Sequence, residues 1–75
     1  MQLEWSEWVG DLPATTAKTG DYLALIQQVT PGPETAYRNR RYEIQWRGET
    51  LVIGFCNGTA DAEAIVDFIL AHNIG

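Results

Sequence analysis

Residues 42–46, Tyr42-Glu43-Ile44-Gln45-Trp46, alternate without a break between large apolar and polar side chains. Period two marks a strand with one face in a core, so Tyr42, Ile44 and Trp46 are assigned inward and Arg41, Glu43, Gln45 and Arg47 outward. Arg47-Gly48-Glu49-Thr50 reads as a tight turn, and Leu51 to Cys56, rich in β-branched and aromatic residues, makes the returning strand. A β-hairpin therefore stands at the centre of the fold, and Trp46 is expected in its core.

Beyond the hairpin the period changes. Ala62, Ile65, Val66 and Ile69 recur at helical spacing, with Asp61, Glu63 and Asp67 on other faces, which predicts an amphipathic helix from about residue 60 to residue 72. Thr59 or Asp61 can cap its start, and acids in the first turn suit the positive end of the helix dipole. Asn73 is expected to take a left-handed stop, with Ile74 folding back toward Ile69.

Upstream, residues 21–29 (Asp21-Tyr22-Leu23-Ala24-Leu25-Ile26-Gln27-Gln28-Val29) fit both a strand and a short helix capped by Asp21. The strand is favoured, because Gly20 precedes it, Thr30-Pro31-Gly32-Pro33 follows it, and the hairpin is available to receive it. Residues Leu3 to Val9 are expected to form a further strand, with a bulge or a short helix where the spacing of Trp5 and Trp8 breaks period two. Residues 10–20 and 30–40 read as loops. The fold class that follows is α+β: a three- to four-stranded antiparallel β-meander with one C-terminal α-helix packed on one face, in a single domain spanning residues 1–75. One helix covers only part of such a sheet, which leaves further apolar side chains to a partner, a loop or partial exposure.

The chain's 75 residues suffice for one core. A secreted domain of this size would normally carry paired cysteines, and Cys56 stands alone. With no signal-like start and no long apolar run, a cytoplasmic protein without a membrane segment is expected. Asn57-Gly58-Thr59 matches a glycosylation acceptor and is read as accidental in that setting.

Catalytic and cofactor signatures are absent: no glycine-rich phosphate loop, no Cys-x-x-Cys, no His-Glu-x-x-His and no nucleophile elbow. Cys56 ends an apolar strand and reads as a small buried hydrophobe, and His72, the single histidine, as a complement to the helix C-terminus. Asp61, Glu63 and Asp67 read as a solvated helix face. Neither enzyme, metal site nor cofactor is expected; a catalytic role would need residues from another chain, with Cys56 or His72 lining a shared cleft.

Ten acids against five bases give a net charge of −5, which disfavours general nucleic-acid binding. Yet Arg38, Arg40, Arg41 and Arg47 fall within ten residues, and Lys18 is the only other base. These arginines either pair with local acids such as Glu34, Glu43 and Glu49 or serve an acidic partner surface. With Trp46 given a core position, either one of Trp5 and Trp8 is surplus to the core or both fold over a sheet edge to complete it, and Trp, Tyr and Arg are the residue types that most often carry interface energy. Trp5, Trp8, Arg38, Arg40, Arg41 and Arg47 are therefore the candidate partner-binding residues.

The function expected is a small, non-enzymatic protein-binding or regulatory module acting through a charged and aromatic surface. Its partner would be another protein, such as a nucleic-acid-processing complex, and a homodimer is allowed. A narrower form is a phage-type inhibitor of a host defence complex, of the anti-CRISPR or anti-restriction class, a group in which small, acidic, motif-free α+β proteins are common. The alternative is a nucleic-acid-binding module using the Arg38–Arg47 stretch.

Overall fold

The computed structural model describes residues 3–74. Four strands, β1 (Ala14–Thr19), β2 (Tyr22–Gln28), β3 (Arg40–Trp46) and β4 (Glu49–Cys56), precede one helix, α1 (Thr59–Ile74), with a short 3-10 turn at Pro33–Thr35. The strands form a single antiparallel sheet in the order β1-β2-β3-β4, and α1 packs on one face of it. This is the α+β meander that the hairpin and helix patterns predict. Among the described residues no helix is long and apolar enough to cross a membrane.

Residues 22–28 form the strand favoured above the helix. Tyr22 pairs with Trp46 and Ile26 with Tyr42, so sheet pairing decides a segment whose own pattern suits either period. Two-residue turns join the hairpins. Gly20 (φ 57°) opens the first, and Arg47 and Gly48 (φ 50° and 85°) form the second with both residues left-handed, the combination whose twist matches antiparallel strands.

Two expectations are corrected at the N-terminal end. The first strand lies at Ala14–Thr19, inside the segment read as a loop, and not at Leu3–Val9. Thr15, Thr16 and Thr19 favour extended backbone, but with only alanines as apolar partners they give no alternating signal. Residues 3–9 instead run irregularly along the outer edge of β1. Ser6 N–H donates to the Thr16 carbonyl (2.8 Å), Thr16 N–H donates to Ser6 Oγ (3.0 Å), and Val9 and Ala14 exchange backbone hydrogen bonds.

The helix starts at Thr59 and continues through Asn73 to Ile74, so the left-handed stop expected at Asn73 is not taken; the contact expected of the Ile74 side chain lies outside the described side chains. Ala62, Val66 and Leu70, one turn apart, are fully buried. The opposite side is less polar than an amphipathic helix requires, since Phe68 is 63% exposed beside exposed Ala60 and Ala64.

Val66 and Leu70 pack with Ala24 and Ile44, while Ala62 packs with Ile26 and Cys56. Trp5 lies against both groups. Trp46, expected in this core, belongs to neither and is 36% exposed. It is the last residue of β3, at the turn, where the Arg47 guanidinium covers its ring at 4.6 Å from the centroid.

Gly54 in β4 is set by packing. A Cβ there would run into the Tyr42 ring and hydroxyl, because Tyr42 lies flat across the position with which it pairs. Gly54→Ala is expected to destabilise the protein by about 1–3 kcal/mol, the usual cost of overpacking, as measured by urea unfolding. Adding Tyr42→Ala should make the Gly54→Ala change far less costly than it is alone.

Candidate functional site

The residues singled out by sequence fall in separate places. Trp5 is part of the core packing. Trp8 is 37% exposed and stacks with Arg40, whose guanidinium lies 6.0 Å from the ring centroid. Arg40 also donates from Nε to Thr59 Oγ1 (3.2 Å) and from Nη1 to the Asn39 carbonyl (3.0 Å), tying the start of β3 to the start of α1. Arg47 sits at the far end of the sheet. Its guanidinium pairs with Asp21 (3.0 Å) and its N–H donates to the Asp21 carbonyl (3.1 Å), linking the two hairpin turns. Arg38 is exposed. Trp8 and Arg40 are brought together; Arg41 and Arg47 stand apart from them and from each other.

Arg41 lies on the sheet face away from the helix, and this face is the most distinctive surface of the molecule. Because side chains alternate, the register places Leu23, Leu25 and Gln27 of β2, Arg41, Glu43 and Gln45 of β3, and Ile53 and Phe55 of β4 on it together. The helix packs on the opposite face, and here Leu23, Leu25 and Phe55 are half-buried. Leu25, Glu43 and Ile53 align across three strands, with Leu23 and Phe55 diagonal to that row. Ile53 is 50% exposed and Leu51, the extra residue of a β-bulge opposite Ile44, is 52% exposed. These positions were not singled out from sequence. The available signal was that β2 and β4 are apolar at both parities, a pattern of strands covered on both faces.

Glu43, at the middle of this face, is buried by its neighbours in the sheet. Its carboxylate accepts from Gln45 Nε2 (2.7 Å) and Thr50 Oγ1 (2.8 Å), and pairs with Arg41 Nη2 (2.8 Å). The Gln45 and Thr50 hydrogen bonds, and then Arg41, hold the carboxyl below its ordinary value of 4.5 against the opposing effect of desolvation. The arginine–acid pairing foreseen for Glu43 is thus made. It fixes the Arg41 guanidinium, a quarter exposed, in an apolar surround.

A second built feature is the loop before β3. Buried Thr35 accepts from Gly32 N–H (3.1 Å), and its hydroxyl lies 3.1 Å from the Gly32 carbonyl and 3.0 Å from that of Arg38. Ala36 and Tyr37 are both left-handed (φ 55° and 61°), a strained conformation for residues with a Cβ. This holds Tyr37, 70% exposed, out beside Arg38.

Cys56 is buried, and desolvation followed by the charge of Asp61 pushes its thiol up, so it stays protonated at neutral pH. His72 lies over Phe68, with Nδ1 2.8 Å from the Phe68 carbonyl. Among the described residues no three of His, Cys, Asp and Glu converge to hold a metal ion.

The Glu43 network gives a pH dependence of defined sign. A carboxyl lowered by folding adds stability that is complete above its unfolded value and is lost as pH falls through the folded one. Glu43→Gln should cost about 1–2 kcal/mol near neutrality, the lower part of the range for bonds to a charge because the face is open to water. That difference from wild type should shrink once pH drops below 4.5. Urea midpoints compared from roughly pH 7 to pH 3 check this, and a constant difference across that interval would refute it.

No protein-family model matches this chain, and no curated protein or solved structure matches it.

Proposed function

We propose that the protein is a non-enzymatic protein-binding module whose docking surface is the open face of the sheet. The observation that carries this reading is the row Leu25, Glu43, Ile53, flanked by Leu23 and Phe55, on the sheet face away from the helix, where Ile53 is 50% exposed and Leu23, Leu25 and Phe55 are half-buried. Two apolar flanks, Leu23 and Leu25 on β2 and Ile53 and Phe55 on β4, border the polar stripe Arg41, Glu43 and Gln45 of β3, and such a mixture of apolar and polar groups suits a protein interface. Arg41, held in place by Glu43, supplies a polar anchor in the apolar field, the arrangement in which an arginine contributes most to binding. Tyr37 and Arg38 on their strained loop offer a second contact outside the sheet face.

The arrangement of the arginines favours this over nucleic-acid binding through the Arg38–Arg47 stretch. Arg41 and Arg47 are each neutralised by an acid, and Arg40 points to the helix side of the sheet. A phosphate backbone is bound by guanidinium groups that converge on one groove, and here they diverge. The narrower proposal, an inhibitor of a host defence complex with a nucleic-acid-processing enzyme as partner, rests on small size, acidity and the lack of catalytic motifs.

Affinity capture from the native lysate with wild type, Leu25→Glu, Ile53→Glu and Arg41→Ala tests the surface. Phe68→Glu, on the exposed side of α1, serves as the control. The two sheet-face acids should abolish retention of the partner, Arg41→Ala should weaken it at least tenfold, and the helix variant should retain it. Equal retention by all variants would sink the proposal. Salt-dependent oligonucleotide binding that disappears when Arg38, Arg40 and Arg41 become alanine would favour the nucleic-acid reading.

A further inference from the structure

We propose that the protein self-associates through β4, with two copies pairing edge to edge and antiparallel about a two-fold axis to make one continuous sheet. The two edges of the sheet are treated very differently by the chain. On β1 the outward backbone groups of Ala14 and Thr16 are taken up by Val9 and Ser6, and the next outward position is Lys18, a charge of the kind that keeps edges apart. On β4 nothing comparable is present among the described residues.

Which groups β4 leaves free follows from the ladder. Gln28 N–H donates to Pro13 and Val29 N–H donates to Asn39, so even-numbered residues of β2 face β1 and odd-numbered ones face β3. Carried through the register, Tyr42 and Ile44 face β4, and Val52, Gly54 and Cys56 face back. The N–H and C=O groups of Ile53 and Phe55 therefore point out of the sheet. No backbone hydrogen bond from another segment reaches them among the described residues. From Thr50 to Cys56 the edge carries neither charge nor proline, and its single irregularity, the bulge at Leu51, lies at the turn end.

A second copy is the occupant that fits for two reasons. The first is closure: pairing β4 with β4 uses up the bare edge of each copy and leaves the capped β1 at both ends, so growth stops at two chains. The second is charge. In an antiparallel register centred on Ile53 or Gly54, Glu49 of one copy comes opposite Asn57 or Thr59 of the other. Arg40 is bonded to Thr59 there, and no carboxylate lies within ion-pair distance of Arg40 among the described residues. Each Glu49 thereby comes near the Arg40 of its mate, at an end of the strand that also carries Asp61 close to Cys56. The seam also brings both Ile53 and Phe55 pairs together, so the open faces merge into one surface of twice the width.

Sedimentation equilibrium and backbone amide exchange on the full chain decide the matter. The expected mass is twice that of the 8.4 kDa chain at high concentration, falling to one chain on dilution. The Ile53 and Phe55 amides, which have no acceptor among the described residues, should be protected in the dimer and lose protection as it dissociates. Ile53→Pro removes only an outward N–H, a position where an edge strand accepts proline, and should give a folded monomer. If proline disturbs the fold, Ile53→Lys sets two like charges at the seam and should do the same. A single-chain mass up to the solubility limit would overturn the proposal. So would a dimer in which the Ile53 and Phe55 amides exchange as freely as unpaired ones. Either result leaves the docking role of the sheet face to be judged by its own experiment.

Discussion

The seating of Val66 and Leu70 on Ala24 and Ile44 determines the rest of this small structure. Small residues at the contact, Ala24 in the sheet and Ala62 in the helix, let α1 lie close to β2 and β3 and exclude water with few atoms. Only one helix is available, so only one face can be closed in this way. The other face carries Leu23, Leu25, Ile53 and Phe55, and among the described residues the segment 3–9 is engaged along the edge of β1 and with the core through Trp5.

A bare apolar face would by itself offer little discrimination between partners, since apolar contact is non-directional. The Glu43 network changes that. A carboxylate among Leu25, Ile53 and Phe55 is tolerable because three donors reach it, and it in turn fixes Arg41. The result is a surface with apolar flanks and an oriented cation, in which a partner lacking a complementary acceptor would leave a guanidinium desolvated. The same carboxylate also discourages indiscriminate stacking of faces, because a second Glu43 brought opposite would be a like charge.

Much of the architecture was legible because it rests on local periodicity. The alternation of Tyr42 to Trp46 set both faces of β3, and the spacing of Ala62, Val66 and Ile69 located the helix. The misses have specific causes. Ala14–Thr19 is a strand without large side chains, so its pairing with β2 is visible only in three dimensions. Residues Leu3 to Val9 read as a strand interrupted where Trp5 and Trp8 break period two, and the two tryptophans instead serve as core filler and as a stacking partner for Arg40. Trp46 was assigned to the core by parity alone, although its position next to the turn places it outside both core clusters. Parity tells which face a residue occupies, and it does not tell how far along that face the covering helix extends.

The same limit explains why the candidate site was only half visible. Clustering in sequence grouped four arginines, but a strand sends neighbours to opposite faces and a hairpin carries its two ends apart. Arg40 and Arg41, adjacent in the chain, therefore end up on opposite sides of the sheet, and Arg47 ends up at the turn with Asp21. Of the four, Arg41 alone shares a surface with the unpartnered hydrophobes. Its significance depends less on the other arginines than on Leu25, Glu43 and Ile53, residues that ordinary strand chemistry would pass over and that register places in a single row. Charge in this protein acts through position on the sheet, and the apolar residues around it decide where a charge can matter.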